Sequence, residues 1–153
     1  MGLPLKRDRR FKQGYFKPRF PEKYLGNDDI IFRSGLELTF FRWLDMTPNV
    51  IKWSSETIKV PYYDTLKKRN RLYYVDNLVH IKEGDVIKKY LVEVKPFKQT
   101  QPPKESNRKK KSNLLYEKVQ WENNSQGKWP AAKAFAKKHG MEFIIITEKD
   151  LKP

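Results

Sequence analysis

The chain has 153 residues, with 33 Lys+Arg against 18 Asp+Glu, a formal net charge of +15, no cysteine and 38% hydrophobic residues. That length suits one domain with a real core, and the lack of cysteine excludes disulfides, a thiol nucleophile and thiolate-ligated metal sites. A charge excess this large works against compaction and points to a polyanionic partner, nucleic acid ahead of a membrane surface. No apolar run approaches the roughly 20 residues of a membrane span, and the start lacks the apolar core of a signal peptide, so a soluble intracellular protein is expected.

The excess is unevenly placed. Residues 1–33 carry nine basic and four acidic side chains, and residues 95–111 carry seven basic and one acidic, so two short segments hold most of the charge and the rest is nearly balanced. The first segment interleaves aromatics, bases and prolines (Phe11, Tyr15, Phe16, Lys17, Pro18, Arg19, Phe20, Pro21) and reads as an extended arm lying on a surface.

After the arm, Ser34 precedes Glu37, Leu38, Phe40, Phe41, Trp43 and Leu44, the pattern of a capped helix of about three turns that stops before Pro48. Strands are expected at Val50–Trp53 and Glu56–Tyr63, then a basic loop over 64–70, then strands at Arg71–Ile81 and Val86–Lys95 around a turn at Gly84-Asp85. Residues 96–111 hold Pro96, Pro102 and Pro103 and end in Arg108-Lys109-Lys110-Lys111, with Phe97 the only large apolar side chain; this stretch cannot bury itself and reads as a mobile, phosphate-gripping loop. Ser112 is placed to cap a helix containing Leu115, Tyr116, Val119 and Trp121, and a second helical segment runs from Trp129 to Gly140. The apolar run Phe143–Thr147 suits a strand covered on both faces. A helical crossover before it makes it parallel to Val86–Lys95.

The turn sets a register. Glycine first in a two-residue loop suits a type II′ turn and pairs Glu83 with Val86; continued along the strands, that register sets Asp76 opposite Glu93, with Lys95 on the same face. Two facing carboxylates repel unless a cation sits between them, and Mg²⁺, which takes one or two carboxylates and fills its other positions with water and phosphate oxygens, fits. Lys95 beside such an ion is placed to orient or deprotonate a water and to steady a phosphate. Glu93-Val94-Lys95 is the one Glu-x-Lys string in the chain. Glu37 carries two readings: the capping-box partner of Ser34, or a further carboxylate on the face that packs on the sheet. His80 reads as a partly exposed strand histidine and His139 as a helix-end residue; neither is assigned chemistry.

These residues resemble the PD-(D/E)XK nuclease superfamily and, more closely, the head completion nucleases of large contractile-tailed bacteriophages, themselves similar to the endonuclease subunit of heteromeric transposases. The resemblance rests on Pro21-Glu22-Lys23-Tyr24, Ile31-Phe32-Arg33-Ser34 before Glu37, Val60-Pro61-Tyr62, Glu93-Val94-Lys95-Pro96, Gln99-Thr100 with Pro102-Pro103, Lys128-Trp129 with Ala131-Ala132, and Phe143 through Glu148. It implies an α/β fold: a single restriction-endonuclease-like domain over 34–151, with an α-β-β-β-α-β core and a mixed central sheet flanked by helices. It implies Glu37, Asp76 and Glu93 as metal-site carboxylates for Mg²⁺, with Mn²⁺ as a substitute, Lys95 as the catalytic lysine and Gln99 as a substrate contact. The basic segments add Arg33, Lys98, Lys104, Arg108, Lys109, Lys110 and Lys111 as DNA contacts, holding DNA from both sides across the face that carries Asp76 and Glu93. The superfamily pattern has proline before the aspartate where this chain has Val75; proline there only helps bend the strand, so Asp76 stands.

The resemblance also implies a metal-dependent endonuclease processing packaged DNA ends before tail joining. Its setting would be the host-cell cytoplasm and the virion head, with DNA, portal, head-completion and neck proteins and a second copy of the chain as candidate partners, and no membrane. The rival is a non-catalytic basic protein that binds DNA or docks at the portal vertex.

Overall fold

The elements in chain order are β1 (Gly14–Phe16), β2 (Ile30–Phe32), α1 (Gly35–Met46), β3 (Val50–Ser55), β4 (Lys59–Asp64), β5 (Arg69–Tyr74), β6 (Asn77–Glu83), β7 (Val86–Val94), α2 (Lys111–Glu122), α3 (Trp129–Lys138) and β8 (Glu142–Ile146). A π-helical segment, Asn123–Lys128, joins α2 to α3, and 3₁₀ turns stand at Pro21–Lys23 and Phe97–Thr100. This computed structural model describes residues 13–151.

The central sheet has the order β3-β6-β7-β8, antiparallel except for the parallel β7–β8 pair. With α1 before it and α2–α3 crossing to β8, this is the expected α-β-β-β-α-β core and mixed sheet. The hairpin register also holds: Glu83 pairs with Val86 and Asn77 with Val92, and Gly84 has φ +64°, as the first central position of a type II′ turn requires.

Two expected strands are corrected. The segment expected over Glu56–Tyr63 begins at Lys59 and pairs with β5, not with the central sheet. The single strand expected over Arg71–Ile81 is broken at Val75-Asp76, so that β5 folds away into a separate hairpin with β4 while β6 joins the sheet. The hairpin's turn explains the departure. Asp64 is buried, accepts the Leu66 and Lys67 N–H groups at 3.0 Å each and binds the Arg71 guanidinium at 3.0 Å, shortening the expected loop to 65–68.

The cap on α1 is as expected, with the Ser34 hydroxyl accepting the Glu37 N–H at 3.1 Å. Thr47 is extended because Pro48 disfavours helical backbone in the residue before it. The carbonyls left open there are taken by Lys23, whose ammonium donates to Leu44, Asp45 and Thr47 at 2.7, 2.9 and 2.9 Å. At the other helix, Ser112 is not the cap: the cap position falls two residues earlier, at Lys110, without a side-chain cap. None of its residues is fully buried; Leu115, Tyr116 and Val119 are exposed, and Trp121 alone of the expected apolar set packs, edge-on to Trp129 with ring centroids 5.8 Å apart.

Each face of the sheet has its own core. Phe40, Phe41 and Leu44 of α1 pack with Val50, Trp53, Val79, Val92 and Val94 on one side, and β1–β2 closes this layer with Phe16, Ile30 and Phe32. Ala132 and Ala136 of α3 pack with Leu91, Val60, Tyr62, Tyr73 and Val75 on the other. β8 is covered on both faces but lies at the sheet edge, so its residues are only half-buried or exposed. Of the aromatic N-terminal arm, the described part, 13–33, lies on the α1 face. Phe16 packs tilted and Tyr24 edge-on against Trp53, with ring centroids 6.1 and 4.8 Å away, and the Arg19 and Phe20 N–H groups are held by buried Asp45. The rings of that part are thereby drawn against Trp53, away from Glu93, while Arg33 at its end stands beside Glu37 and Glu56 and within electrostatic reach of Asp76; the expected contacts of residues 1–12 lie outside the described residues. The loop 96–111 is tied down at both ends: Phe97 N–H to Glu148 at 2.6 Å and Lys109 to Glu117 at 2.7 Å.

Candidate active site

Alternation along β7 sends Val92 and Val94 to the α1 core and Leu91 and Glu93 to the α3 side. Glu93 is buried at 5% exposure, and Lys95, just past the strand end, meets it at 3.3 Å. Asp76 arrives by a different route. Continued, the register would pair Val94 with Val75, but the chain leaves the sheet there, and the N–H that this departure would strand on Val94 is taken by the Asp76 carboxylate at 2.7 Å. Val75 spends its own N–H on Ile58 at 3.0 Å, a bond that proline could not make. The residue that departs from the superfamily pattern is thus part of the β4–β5 hairpin's hold on the break.

Glu37 fits neither reading alone. Its backbone is capped by Ser34, and its carboxylate accepts the Arg33 N–H at 3.3 Å, one residue short of a reciprocal capping box. At the same time it lies within electrostatic reach of Asp76 and Glu93. Burial, together with the charges of Glu56 and Glu93, raises the Glu37 carboxyl to about 7. Burial raises Asp76 well above the usual carboxylate range, and Glu93 and Glu37 push it further the same way. Burial works against the charge on Lys95, but Glu93, Asp76 and Glu37 outweigh it and hold its pKa above the ordinary lysine value. Glu37, Asp76, Glu93 and Lys95 are therefore one electrostatic unit.

Three partners were not foreseen. The Tyr73 hydroxyl donates to Glu93 and stays protonated, its pKa raised by burial and by Glu93. Lys128, the last residue of the π segment, sets its ammonium 5.5 Å from the centre of the Tyr73 ring; burial lowers its pKa against the pull of Glu93. Glu56, in a left-handed conformation at φ 57°, grips Arg33 at 2.9 and 3.2 Å. No string marks Tyr73, and Lys128 entered the resemblance only as part of Lys128-Trp129, with no role assigned; a chain break and a π turn, the latter a frequent companion of functional sites, place them.

Of the expected DNA contacts, Lys98, Gln99, Lys104 and Lys109 line one cleft together with Lys95. Arg108, Lys110 and Lys111 are exposed outside its lining, and Arg33 is half-buried beside Glu37 and Glu56. His80 is partly buried with its pKa lowered by burial and then Lys89, and His139 stacks on Phe135 at 4.2 Å at the end of α3.

Among the described residues, no group of three or more His, Asp or Glu side chains converges closely enough to hold an ion. The pair Asp76 and Glu93 nevertheless suits a hard divalent cation: they are mutually repelling carboxylates, and the second oxygen of Asp76 accepts no hydrogen bond from any described residue.

Residues 47–148 match the family described as TnsA-like endonuclease N terminal. The chain is 35% identical over 143 residues to the head completion nuclease of Enterobacteria phage T4, covering 91% of this chain and 93% of that one. A 57-residue stretch is 39% identical to part of the aerobic respiration control sensor protein ArcB of Escherichia coli (strain K12), 37% of this chain and 7% of that protein, too small a share to bear on the whole. With a mixed nuclease-like sheet, a buried acidic pair beside a lysine and a match over most of its length, the chain belongs to the TnsA-like endonuclease family and is a nuclease.

Proposed function

We propose that the protein hydrolyses DNA phosphodiesters as a divalent-metal-dependent endonuclease and that it acts in phage head completion, trimming packaged DNA before tails join. The observation that carries this is the meeting of Asp76, Glu93 and Lys95 at one break in the sheet, with Glu37 in electrostatic reach. The extent of the likeness to a head completion nuclease supports the biological setting, in the host cell at the portal vertex.

Asp76 and Glu93 would hold Mg²⁺, or Mn²⁺ in its place, with Glu37 behind them; the ion supplies positive charge at the phosphate and a lowered pKa for water. The remaining work falls to the chain. Lys95, kept charged by its acidic neighbours, is a donor rather than a base: it orients a water toward phosphorus and offsets charge as the new O–P bond forms. The opposite P–O ester bond breaks; the attacking water gives its proton up to bulk solvent and the departing alkoxide takes one from solvent, so the protons balance. Tyr73 fixes the orientation of Glu93, and Lys128 brings a second ammonium to the same face. Lys98, Gln99, Lys104 and the run 108–111 contact phosphates, so affinity falls steeply with salt.

The test is incubation of linear and branched DNA with and without Mg²⁺, beside Lys95→Ala. Nicks are expected with metal alone, falling about 10²–10³-fold in the variant while DNA binding persists. DNA bound but left intact under every metal would overturn the catalytic reading and favour a structural protein.

A further inference from the structure

Beyond Lys95 the molecule carries an open cleft of about 730 Å³, roofed by the loop 97–109 and floored by α2. Its volume lies in the range that takes a small ligand, roughly 300–1,000 Å³. Its composition is unusual for a phosphate groove. Phe97, Tyr116 and Trp121 contribute three aromatic rings, and the amides of Asn113, Gln120 and Asn124 stand among them. Lys98, Lys104 and Lys109 give it a cationic balance against the single acid Glu117.

Two of the rings are held in place. Trp121 packs edge-on against Trp129, and Phe97 is fixed from behind by the Lys149 ammonium, 3.4 Å from its ring centre, and by its own N–H on Glu148. Tyr116 is 65% exposed on a helix that buries none of its side chains. An exposed ring on an otherwise unburied helix contributes little to folding, and here it faces a basic, amide-rich space. Bases in intact duplex offer no free ring faces to such a platform, whereas unpaired bases stack on aromatic side chains while lysines follow their backbone.

We propose that this cleft is the path of an unpaired DNA strand: its bases stack on Tyr116 and Trp121 as the strand runs on from the scissile phosphate at Lys95. The substrate is then DNA with a single-stranded tail or branch, in preference to uninterrupted duplex. The inference rests on reading the Glu93–Lys95 site as a nuclease, and it assigns that site its class of substrate.

The experiment uses the full chain carrying Lys95→Ala, so that binding is read without cleavage. Blunt duplex and the same duplex with a ten-nucleotide tail are titrated against it, alone and with Tyr116→Ala or Tyr116→Trp added. The tailed DNA is expected to bind about tenfold more tightly than the blunt, Tyr116→Ala to remove that preference without changing blunt-duplex affinity, and Tyr116→Trp to restore it. Equal affinity for the two DNAs, or an equal loss on both with Tyr116→Ala, overturns the proposal. Cleavage by the unmodified chain separates the two readings: nicking of blunt and tailed DNA at equal rates sinks the cleft and leaves the nuclease, while tail-selective binding without nicking sinks the nuclease and leaves the cleft.

Discussion

The two faces of the central sheet share strands but not a purpose. On the α1 face Trp53 is wholly buried among Phe16, Tyr24 and Phe41, with ring centroids 4.8–6.1 Å away, and the rest of that cluster is apolar. On the α3 face the apolar cluster ends in Glu93, Tyr73, Lys128 and Asp76, and the Asp76 carboxyl is pushed above its usual range by burial and then by Glu93 and Glu37. Val92, Glu93 and Val94 of β7 and Lys95 just past its end alternate between the two. A site that stores like charges in a dry environment costs free energy, and the well-packed opposite face offsets it.

Removing the anchor of the packed face should break this division most severely. Trp53→Ala is expected to cost about 3–5 kcal/mol in chemical denaturation, since it leaves a ring-sized hole among three aromatics, while cleavage per folded molecule stays close to that of the parent. An equal loss of specific activity would show that the faces are not separable.

The charged cluster, to which α1 itself contributes Glu37, has a pH signature. Glu37 has a folded pKa of about 7, above its unfolded value of 4.5, so its stabilising contribution is full below 4.5 and is lost as pH rises through 7. Metal-free protein should therefore lose on the order of 3 kcal/mol between pH 4.5 and 8 from this group, with Asp76 adding in the same direction. Thermal melts should show Tm falling over that window, a shallower fall in Glu37→Gln, and suppression of the fall by Mg²⁺, which favours the ionised carboxylates. A Tm that rises with pH would contradict the buried acidic cluster.

The smallest expected effect sharpens the boundary between the faces. Lys128→Met keeps the aliphatic stem against Tyr73 and removes the charge, so cleavage should fall roughly 10–100-fold with Tm unchanged or slightly raised, because an ammonium held below its ordinary pKa by burial is relieved. A drop in Tm without a kinetic effect would make Lys128 a purely structural residue.

Much of this was legible in the order of residues. Ser34 before an apolar 3.6-residue pattern, Pro48 after it, glycine at the first position of the hairpin turn and alternation along Val86–Lys95 are local signals, and they were enough to set α1, the β6–β7 register and the common face of Glu93 and Lys95. Such features depend on backbone sterics and side-chain period, which neighbours in sequence carry by themselves. Other decisions needed the folded chain. Arg71–Ile81 reads as one strand because nothing in its composition marks Val75-Asp76; only pairing of Lys59–Asp64 with Arg69–Tyr74 pulls its first half out of the sheet and turns Asp76 toward Val94. The aromatic arm took the α1 face because Trp53 offered it burial, and Tyr73 and Lys128 reached Glu93 only through the hairpin and the π turn. Those placements follow from contacts between residues far apart in sequence, where packing rather than local preference carries the free energy.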